Sequence, residues 1–96
     1  MPTLSIIVPV KNEEKVVGRL LNAFLNLDYP RGKREIVVVE DGSVDKTVGI
    51  CAEYARRYPD QVRLVRRSVS DGKPSALNYG FKHVRGEIVG VFDADN

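Results

Sequence analysis

The sequence has little of what several common protein classes depend on. It holds one cysteine, Cys51, and one histidine, His83, too few for an internal disulfide framework or a zinc site. No apolar run approaches the ~20 residues that a membrane-spanning helix needs. The glycines do not form the G-x-G-x-x-G pattern of a dinucleotide fold, nor the phosphate-binding loop of a nucleotide triphosphatase. With 15 Lys and Arg against 13 Asp and Glu, no excess of charge indicates a nucleic-acid partner.

What is present is typical of one ordinary α/β domain. The 96 residues are 43% hydrophobic and 29% charged, which leaves room for a single core, so we expect one domain over residues 1–96. Strand-like and helix-like segments alternate in the order β-α-β-α-β-α-β, with right-handed crossovers expected between them. This pattern predicts a three-layer α/β/α fold around an open, mainly parallel sheet.

Four segments are predicted as strands because they are short, apolar and rich in β-branched residues. The second has an uninterrupted apolar core from Ile36 to Val39, as expected of a strand that helices cover on both faces. The predicted strands are Leu4–Val10, Glu35–Glu40, Val62–Val65 and Glu87–Phe92.

Three segments between these strands have apolar side chains at the spacings of three and four that are typical of amphipathic helices. Asn12 is the predicted N-cap of the first helix and Ser43 that of the second, while the third is predicted to run from Pro74 to Gly86. The side chains predicted to face the core are Val16, Val17, Leu20, Leu21, Phe24 and Leu25 in the first, Val48, Cys51, Ala52 and Ala55 in the second, and Leu77, Phe81 and Val84 in the third.

Polar residues follow every predicted strand at its carboxyl end. In open parallel sheets, ligands bind in the crevice beyond these ends, so we expect the four groups to lie at one edge. They are Lys11, Asn12 and Glu13 after the first strand, Asp41, Gly42 and Ser43 after the second, Asp71, Gly72 and Lys73 after the third, and Asp93 and Asp95 after the fourth.

These residue types suit a phosphorylated ligand with a metal ion. Asp93 and Asp95 are two residues apart, so both carboxylates can point to one side and ligate Mg²⁺ or Mn²⁺. Lys73 offers an ammonium to the same phosphates, and Asp41 offers an acceptor to a base or ribose. Each also has a simpler interpretation, as a solvated turn or loop residue, and Glu13 serves either a ligand or the dipole of the next helix.

The arginines are interpreted more simply, as a solvated rim, with the alternative that some of them meet an anionic ligand or lipid headgroups. They are Arg56, Arg57, Arg63, Arg66 and Arg67.

Four motifs in order along the chain carry a resemblance to a known family. They are Ile6-Ile7-Val8-Pro9-Val10-Lys11-Asn12-Glu13, Ile36-Val37-Val38-Val39-Glu40-Asp41-Gly42-Ser43-Val44-Asp45-Lys46-Thr47, Gly72-Lys73-Pro74-Ser75-Ala76-Leu77-Asn78 and Phe92-Asp93-Ala94-Asp95. Over essentially its whole length the chain resembles the family 2 glycosyltransferases, which have the GT-A fold, and it looks most like their polysaccharide-synthase branch. The resemblance implies the sheet order 3-2-1-4. It also implies an inverting transfer of a sugar from a nucleotide diphosphate sugar, such as a UDP- or GDP-sugar, to an acceptor hydroxyl with a divalent metal.

The resemblance implies a role for each candidate residue. By that analogy Pro9, Val10 and Glu13 would line the nucleoside pocket, Asp41 would contact the base, Lys73 the diphosphate, Asp93 the ribose or sugar, and Asp93 and Asp95 would hold the metal. One local departure is Glu40, where the family often has aspartate.

The resemblance also sets expectations for the complete enzyme. In this family an aspartate further along the chain, beyond the position of Asn96, deprotonates the acceptor hydroxyl. We therefore interpret the sequence as the donor-binding half and expect no transfer by it alone. Members of the branch often carry transmembrane helices, so we expect the protein in the cytoplasm or at the cytoplasmic face of a membrane. The fourth strand is expected at an open sheet edge, where it would recruit a second chain.

Two other kinds of protein share parts of the pattern. A nucleotidyltransferase-like domain also places acidic metal ligands on a related sheet, but its glycine-rich loop after the first strand is missing between Pro9 and Glu13. A non-catalytic nucleotide-binding or interaction module fits the short chain. Metal-dependent nucleotide binding separates an interaction module from the glycosyltransferase interpretation.

Overall fold

A computed structural model describes residues 2–67, 80 and 82–92. Its four strands form one parallel sheet with the order β3-β2-β1-β4, which confirms the order 3-2-1-4. The elements are β1 (Leu4–Val10), α1 (Val17–Leu25), a 3-10 turn (Arg31–Lys33), β2 (Arg34–Asp41), α2 (Thr47–Arg57), β3 (Val62–Arg67) and β4 (Ile88–Val91). None of the helices within these residues is both long enough and apolar enough to cross a bilayer.

The sheet has an apolar core on each face because β1 and β2 are apolar at nearly every position. The first face is covered by α1 and α2, whose buried side chains Val17, Leu21 and Cys51 pack on it. On the second face Val84 packs against the buried residues Ile7, Val37 and Val39. A Cβ added to Gly80 would lie 2.8 Å from Cγ2 of Ile7, so the chain passes close to this face too. Packing on both faces agrees with the predicted three layers.

Both helices of the first face begin later than the sequence predicts. Val16, and not Asn12, precedes the first helical residue of α1. Lys46, and not Ser43, precedes that of α2. The predicted N-caps are therefore wrong, because Asn12 and Ser43 bond to each other's loops instead of to their own helices.

The predicted inner face is confirmed for α1 and corrected for α2. Val17 and Leu21 of α1 are buried as predicted. In α2, Cys51 is buried and Ala55 packs on the core as predicted, but Ala52 is exposed. Ile50 and Tyr54, which were not predicted to face the core, also pack on it.

The third predicted helix lies mostly outside the described residues, together with its predicted start at Pro74 and the side chains of Leu77 and Phe81. Its predicted end at Gly86 is wrong, since residue 80 is helical but residues 82–86 are not. Gly86 instead runs against β1: its N–H donates to Ser5 Oγ at 2.7 Å, and an added Cβ would lie 2.6 Å from the backbone nitrogen of Ser5. Glycine is needed there for the close approach of two backbones.

The fourth strand lies at a sheet edge, as predicted. It pairs with β1 on one side, with Leu4 opposite Ile88 and Ile7 opposite Val91. Ile88 and Val91 are each 49% exposed, and Phe92 is 41% exposed. Self-association through this edge stays a prediction.

Candidate functional site

The loop after β1 and the loop after β2 are joined by hydrogen bonds. The N–H of Asn12 donates to Ser43 Oγ at 2.9 Å, and the N–H of Val44 donates to Asn12 Oδ1 at 2.8 Å. The N–H of Glu13 donates to Thr47 Oγ1 at 2.8 Å. The motifs that end the two central strands therefore form one continuous surface at the carboxyl edge of the sheet.

Asp45 extends this joined surface to the start of α2. The N–H of Glu14 donates to Asp45 Oδ2 at 3.3 Å, and the N–H of Thr47 donates to Asp45 Oδ1 at 2.9 Å. Desolvation acts to raise the pKa of Asp45, but the hydrogen bonds from Thr47 and Glu14 outweigh it and hold this pKa below its usual value. Asp45 thus fixes both loops as an ionised acceptor.

Two residues of these loops have a left-handed backbone. Asn12 has a φ of 53° and Gly42 a φ of 80°. Asparagine tolerates this region better than most residues, and glycine adopts it without steric cost. At Gly42 the chain turns sharply after β2, so that the N–H of Ser43 donates back to Glu40 Oε2.

Strand β2 ends in two buried carboxylates, each paired with an arginine of β3. The register places Glu40 opposite Arg66 and Asp41 opposite Arg67. Glu40 Oε1 lies 3.6 Å from Arg66 Nε, and Asp41 Oδ1 lies 3.7 Å from Arg67 Nε. Glu40 is 0% exposed and Asp41 is 4% exposed, so the guanidinium groups offset part of the cost of burying these charges.

Glu40 faces α2, and Asp41 faces the opposite side of the sheet, because successive side chains of a strand point to opposite faces. The environment of Cys51 in α2 agrees with this orientation. Burial and the nearby negative charge of Glu40 together raise the pKa of the Cys51 thiol to about 12, as expected if Glu40 lies on the α2 side. Glu40 therefore supports the turn after β2 from the α2 side, and Asp41 is presented on the other face.

The structure brings several predicted site residues to this edge. Pro9 and Val10 are buried at the end of β1, Glu13 is half-buried in the loop that follows, and Asp41 ends β2. Their positions at the carboxyl ends of β1 and β2 are as predicted, and their roles in binding stay predictions.

The remaining predicted site residues, Lys73, Asp93 and Asp95, lie outside the described residues. Within residues 2–67, 80 and 82–92, no group of three or more His, Cys, Asp or Glu side chains is arranged to hold a metal ion. Phe92, which precedes Asp93, is bonded to the sheet and packed on α1. The N–H of Phe92 donates to the carbonyl of Ile7 at 2.9 Å, and the rings of Phe92 and Phe24 pack edge-to-face with their centroids 5.3 Å apart.

The interpretation of the arginines as a solvated rim is wrong for Arg67, whose side chain is only 10% exposed and pairs with the buried Asp41. It holds for Arg66, whose side chain is 63% exposed although it pairs with the buried Glu40. The signal was present in the sequence as two consecutive arginines at the end of one strand and two consecutive acids at the end of its neighbour. The pairing of these arginines with the acids can be recognised only when the register of β2 and β3 is known.

The comparisons with known proteins agree with this fold and this edge. The family model described as glycosyl transferase family 2 matches residues 5–96. The chain belongs to glycosyl transferase family 2. All four motifs that carry the resemblance fall within the matched residues.

Relatives from distant organisms align with nearly the whole of this chain. The beta-monoglucosyldiacylglycerol synthase of Nostoc sp. is 44% identical over 97 residues, covering 99% of this chain and 20% of that protein. A dolichyl-phosphate beta-glucosyltransferase of Trichomonas vaginalis is 42% identical over 98 residues, covering 96% of this chain and 30% of that protein. The chain therefore spans between 20% and 30% of the length of these two relatives.

Solved structures of similar proteins have the same fold. A mannosyltransferase from Pyrobaculum calidifontis, in complex with GDP-Man and Mn²⁺, matches with a TM-score of 0.91 at 39% identity, covering 98% of this chain and 28% of that chain. S. aureus TarS in complex with UDP matches with a TM-score of 0.85 at 34% identity, covering 97% and 27%. The parallel sheet described above is thus the Rossmann-like part of a GT-A fold.

Proposed function

We propose that this chain forms the donor-binding part of a glycosyltransferase that transfers a sugar from a nucleotide diphosphate sugar to an acceptor hydroxyl. The observation that carries the proposal is the joined surface after β1 and β2, with Glu13 in one of its loops and Asp41 at the end of the strand that leads into the other, in a member of family 2. Similar structures hold GDP-Man with Mn²⁺ in one case, and UDP or UDP-GlcNAc in another.

The described residues suit the nucleoside end of such a donor. Asp41 ends a buried strand, and a carboxylate there accepts hydrogen bonds from the N–H groups of a base. Pro9 and Val10 end the neighbouring strand β1, and Glu13 follows them in the β1–α1 loop. The loops that present these groups are fixed by their hydrogen bonds, so little order has to be gained on binding.

We assign the diphosphate and the metal to Lys73, Asp93 and Asp95, which lie outside the described residues. Their donor chemistry fits these groups: an ammonium suits phosphate oxygens, and paired carboxylates are the hard oxygen ligands of Mg²⁺ or Mn²⁺. A divalent cation bound by these carboxylates would offset the negative charge of the nucleoside diphosphate leaving group. The role of the chain's own residues is to bind and orient the donor.

The complete enzyme is proposed to work by inversion at the sugar carbon, with an aspartate outside these 96 residues taking the proton of the acceptor. Since the chain spans only 20% to 30% of two relatives, we propose that by itself it binds the donor without transferring sugar. We also propose that the complete enzyme acts at the cytoplasmic face of a membrane, since relatives are named for a glucosyldiacylglycerol and for dolichyl phosphate, which are lipids.

Calorimetry with UDP, GDP, UDP-glucose and GDP-mannose, each with and without Mn²⁺, tests the proposal. We expect at least one nucleotide to bind in a Mn²⁺-dependent manner, and Asp95→Ala to weaken that binding by about tenfold or more. Asp60→Ala is the matched control, because Asp60 is exposed at the opposite edge of the sheet, before β3. A folded protein that binds none of these nucleotides would contradict the proposal and favour an interaction module.

A further inference from the structure

The two arginines at the end of β3 meet the carboxylates of β2 in different surroundings. The side chain of Arg66 is 63% exposed, whereas that of Arg67 is 10% exposed. Electrostatic attraction is stronger away from water, and an enclosed guanidinium has little freedom to move. Of the two pairs, the one between Arg67 and Asp41 is therefore the one with the more enclosed arginine, and it lies on the face opposite α2.

We propose that Arg67 is a positioning residue for nucleotide recognition, whose ion pair restrains the carboxylate of Asp41 and thereby favours bases with a ring N–H at their pairing edge. The inference rests on the proposed function, because it takes Asp41 as the contact to the base. Arg67 acts here through Asp41.

The selectivity follows from the chemistry of a carboxylate. An ionised carboxylate accepts hydrogen bonds and cannot donate one. Guanine and uracil present a ring N–H at the pairing edge, whereas adenine and cytosine place an unprotonated ring nitrogen in the corresponding position. A carboxylate with a fixed orientation therefore bonds the first two and opposes a lone pair of the other two.

The geometry assigns this role to Arg67 and not to Arg66. Arg67 is directly opposite Asp41 in the register, and its Nε lies 3.7 Å from Asp41 Oδ1. Arg66 is opposite Glu40, whose carboxylate bonds the N–H of Ser43 and faces α2. Arg66 thus supplies an internal control with the same charge on the same strand.

The test measures the dissociation constants of GDP, UDP, ADP and CDP in the presence of Mn²⁺ for the wild-type protein and for Arg67→Met, Arg67→Lys and Arg66→Met. We expect the wild type to prefer GDP over ADP, UDP over CDP, or both. Arg67→Met is expected to reduce that preference by about tenfold, and Arg67→Lys to give an intermediate value because lysine keeps the charge without the planar fork. Arg66→Met is expected to keep the preference.

The possible results separate this inference from the proposed function. A wild type that binds no nucleotide contradicts the proposed function itself. Binding without a base preference, an unchanged preference in folded Arg67→Met, or an equal loss of affinity for all four nucleotides overturns the inference alone. If circular dichroism shows that Arg67→Met does not fold, Arg67→Lys decides: a preference reduced severalfold supports the inference, and an unchanged preference overturns it.

Discussion

Asn12 and Val44 lie 32 residues apart, and the side-chain oxygen of the first accepts a hydrogen bond from the backbone N–H of the second at 2.8 Å. The backbone N–H of Asn12 donates in the other direction, to Ser43 Oγ at 2.9 Å. The residue does so from a left-handed backbone with a φ of 53°. Asn12 therefore combines a tolerance for positive φ with an acceptor of the right length, and this combination joins the two loops.

Replacements of Asn12 separate these two properties. Asn12→Asp keeps the oxygen acceptor, Asn12→Gly keeps only the backbone freedom, and Asn12→Ala loses both. We expect Asn12→Ala to lower the free energy of unfolding by about 2 kcal/mol, from a lost hydrogen bond and a strained φ, and Asn12→Asp to lower it least. Urea unfolding measures the order of the free energies of unfolding. Calorimetry with a nucleotide that the wild type binds should place the affinities of the variants in the same order. Equal effects of Asp and Ala would contradict the assigned role of the oxygen.

Alanine substitutions at Gly86, just before β4, and at Gly90, within β4, are expected to differ sharply in their effect on stability. An alanine Cβ at Gly86 would lie 2.6 Å from the backbone nitrogen of Ser5 and 2.9 Å from the carbonyl carbon of Leu4, and backbone atoms cannot move aside cheaply. We expect Gly86→Ala to lower the free energy of unfolding by about 1–3 kcal/mol. Gly90→Ala is the control, because nothing lies within 4 Å of its Cβ, and we expect a change within about 0.5 kcal/mol. Urea unfolding of both variants checks this, and similar values for the two would show that the close approach of Gly86 to β1 is wrong.

Cys51 is expected to be chemically inert in the native protein. Its side chain is fully buried on the core-facing side of α2, and burial, with the charge of Glu40, raises its pKa to about 12. Since the thiolate is the reactive form, the thiol should not react with a disulfide reagent at pH 8 until the chain is unfolded. A disulfide reagent that releases a coloured thiol measures the rate of this reaction in native buffer and in urea. Rapid reaction in native buffer would mean that α2 opens locally or packs differently.

The parts of the fold that the sequence predicts correctly depend on local or repeated patterns. The spacing of Val17 and Leu21 predicts the buried stripe of α1, and the uninterrupted run from Ile36 to Val39 predicts a strand covered on both faces. The sheet order came from the family resemblance and not from the residues, because the spacing of strands along a chain does not determine which of them are neighbours. The carboxyl-edge position of Asp41 followed from a general property of parallel sheets.

The parts that were wrong depend on contacts between distant residues. Asn12 and Ser43 are good N-cap residues by type, but their side chains bond to backbone N–H groups 31 or 32 residues away. Arg67 looks like a surface charge until the register of β3 places it against Asp41. Such contacts are invisible to a window of neighbouring residues, since they need the tertiary structure to bring the partners together.

Glu35 provides a pH-dependent contribution to stability at the opposite edge of the sheet. Its carboxylate accepts hydrogen bonds from Ser5 Oγ and from the backbone N–H of Arg85. Desolvation acts to raise the pKa of Glu35, but these hydrogen bonds and the charges of Arg63 and Arg85 outweigh it and lower the pKa below 4.5. Because the folded state binds the proton more weakly than the unfolded state, the contribution is complete above the unfolded pKa. It is lost as the pH falls through the folded pKa.

The variant Glu35→Gln should therefore be less stable than the wild type at pH 7, by about 1–3 kcal/mol for the lost charge-assisted hydrogen bonds. The difference should shrink as the pH is lowered below about 4.5, where the carboxylate becomes protonated first in the unfolded chain and, at lower pH, in the folded protein. Urea unfolding between pH 7 and pH 3 measures this. Glu87→Gln is the control, because Glu87 is exposed, and it should follow the wild type at every pH. A stability difference for Glu35→Gln that stays constant down to pH 3 would mean that the pKa of Glu35 is the same in the folded and unfolded states. The carboxylate would then not be held by these partners.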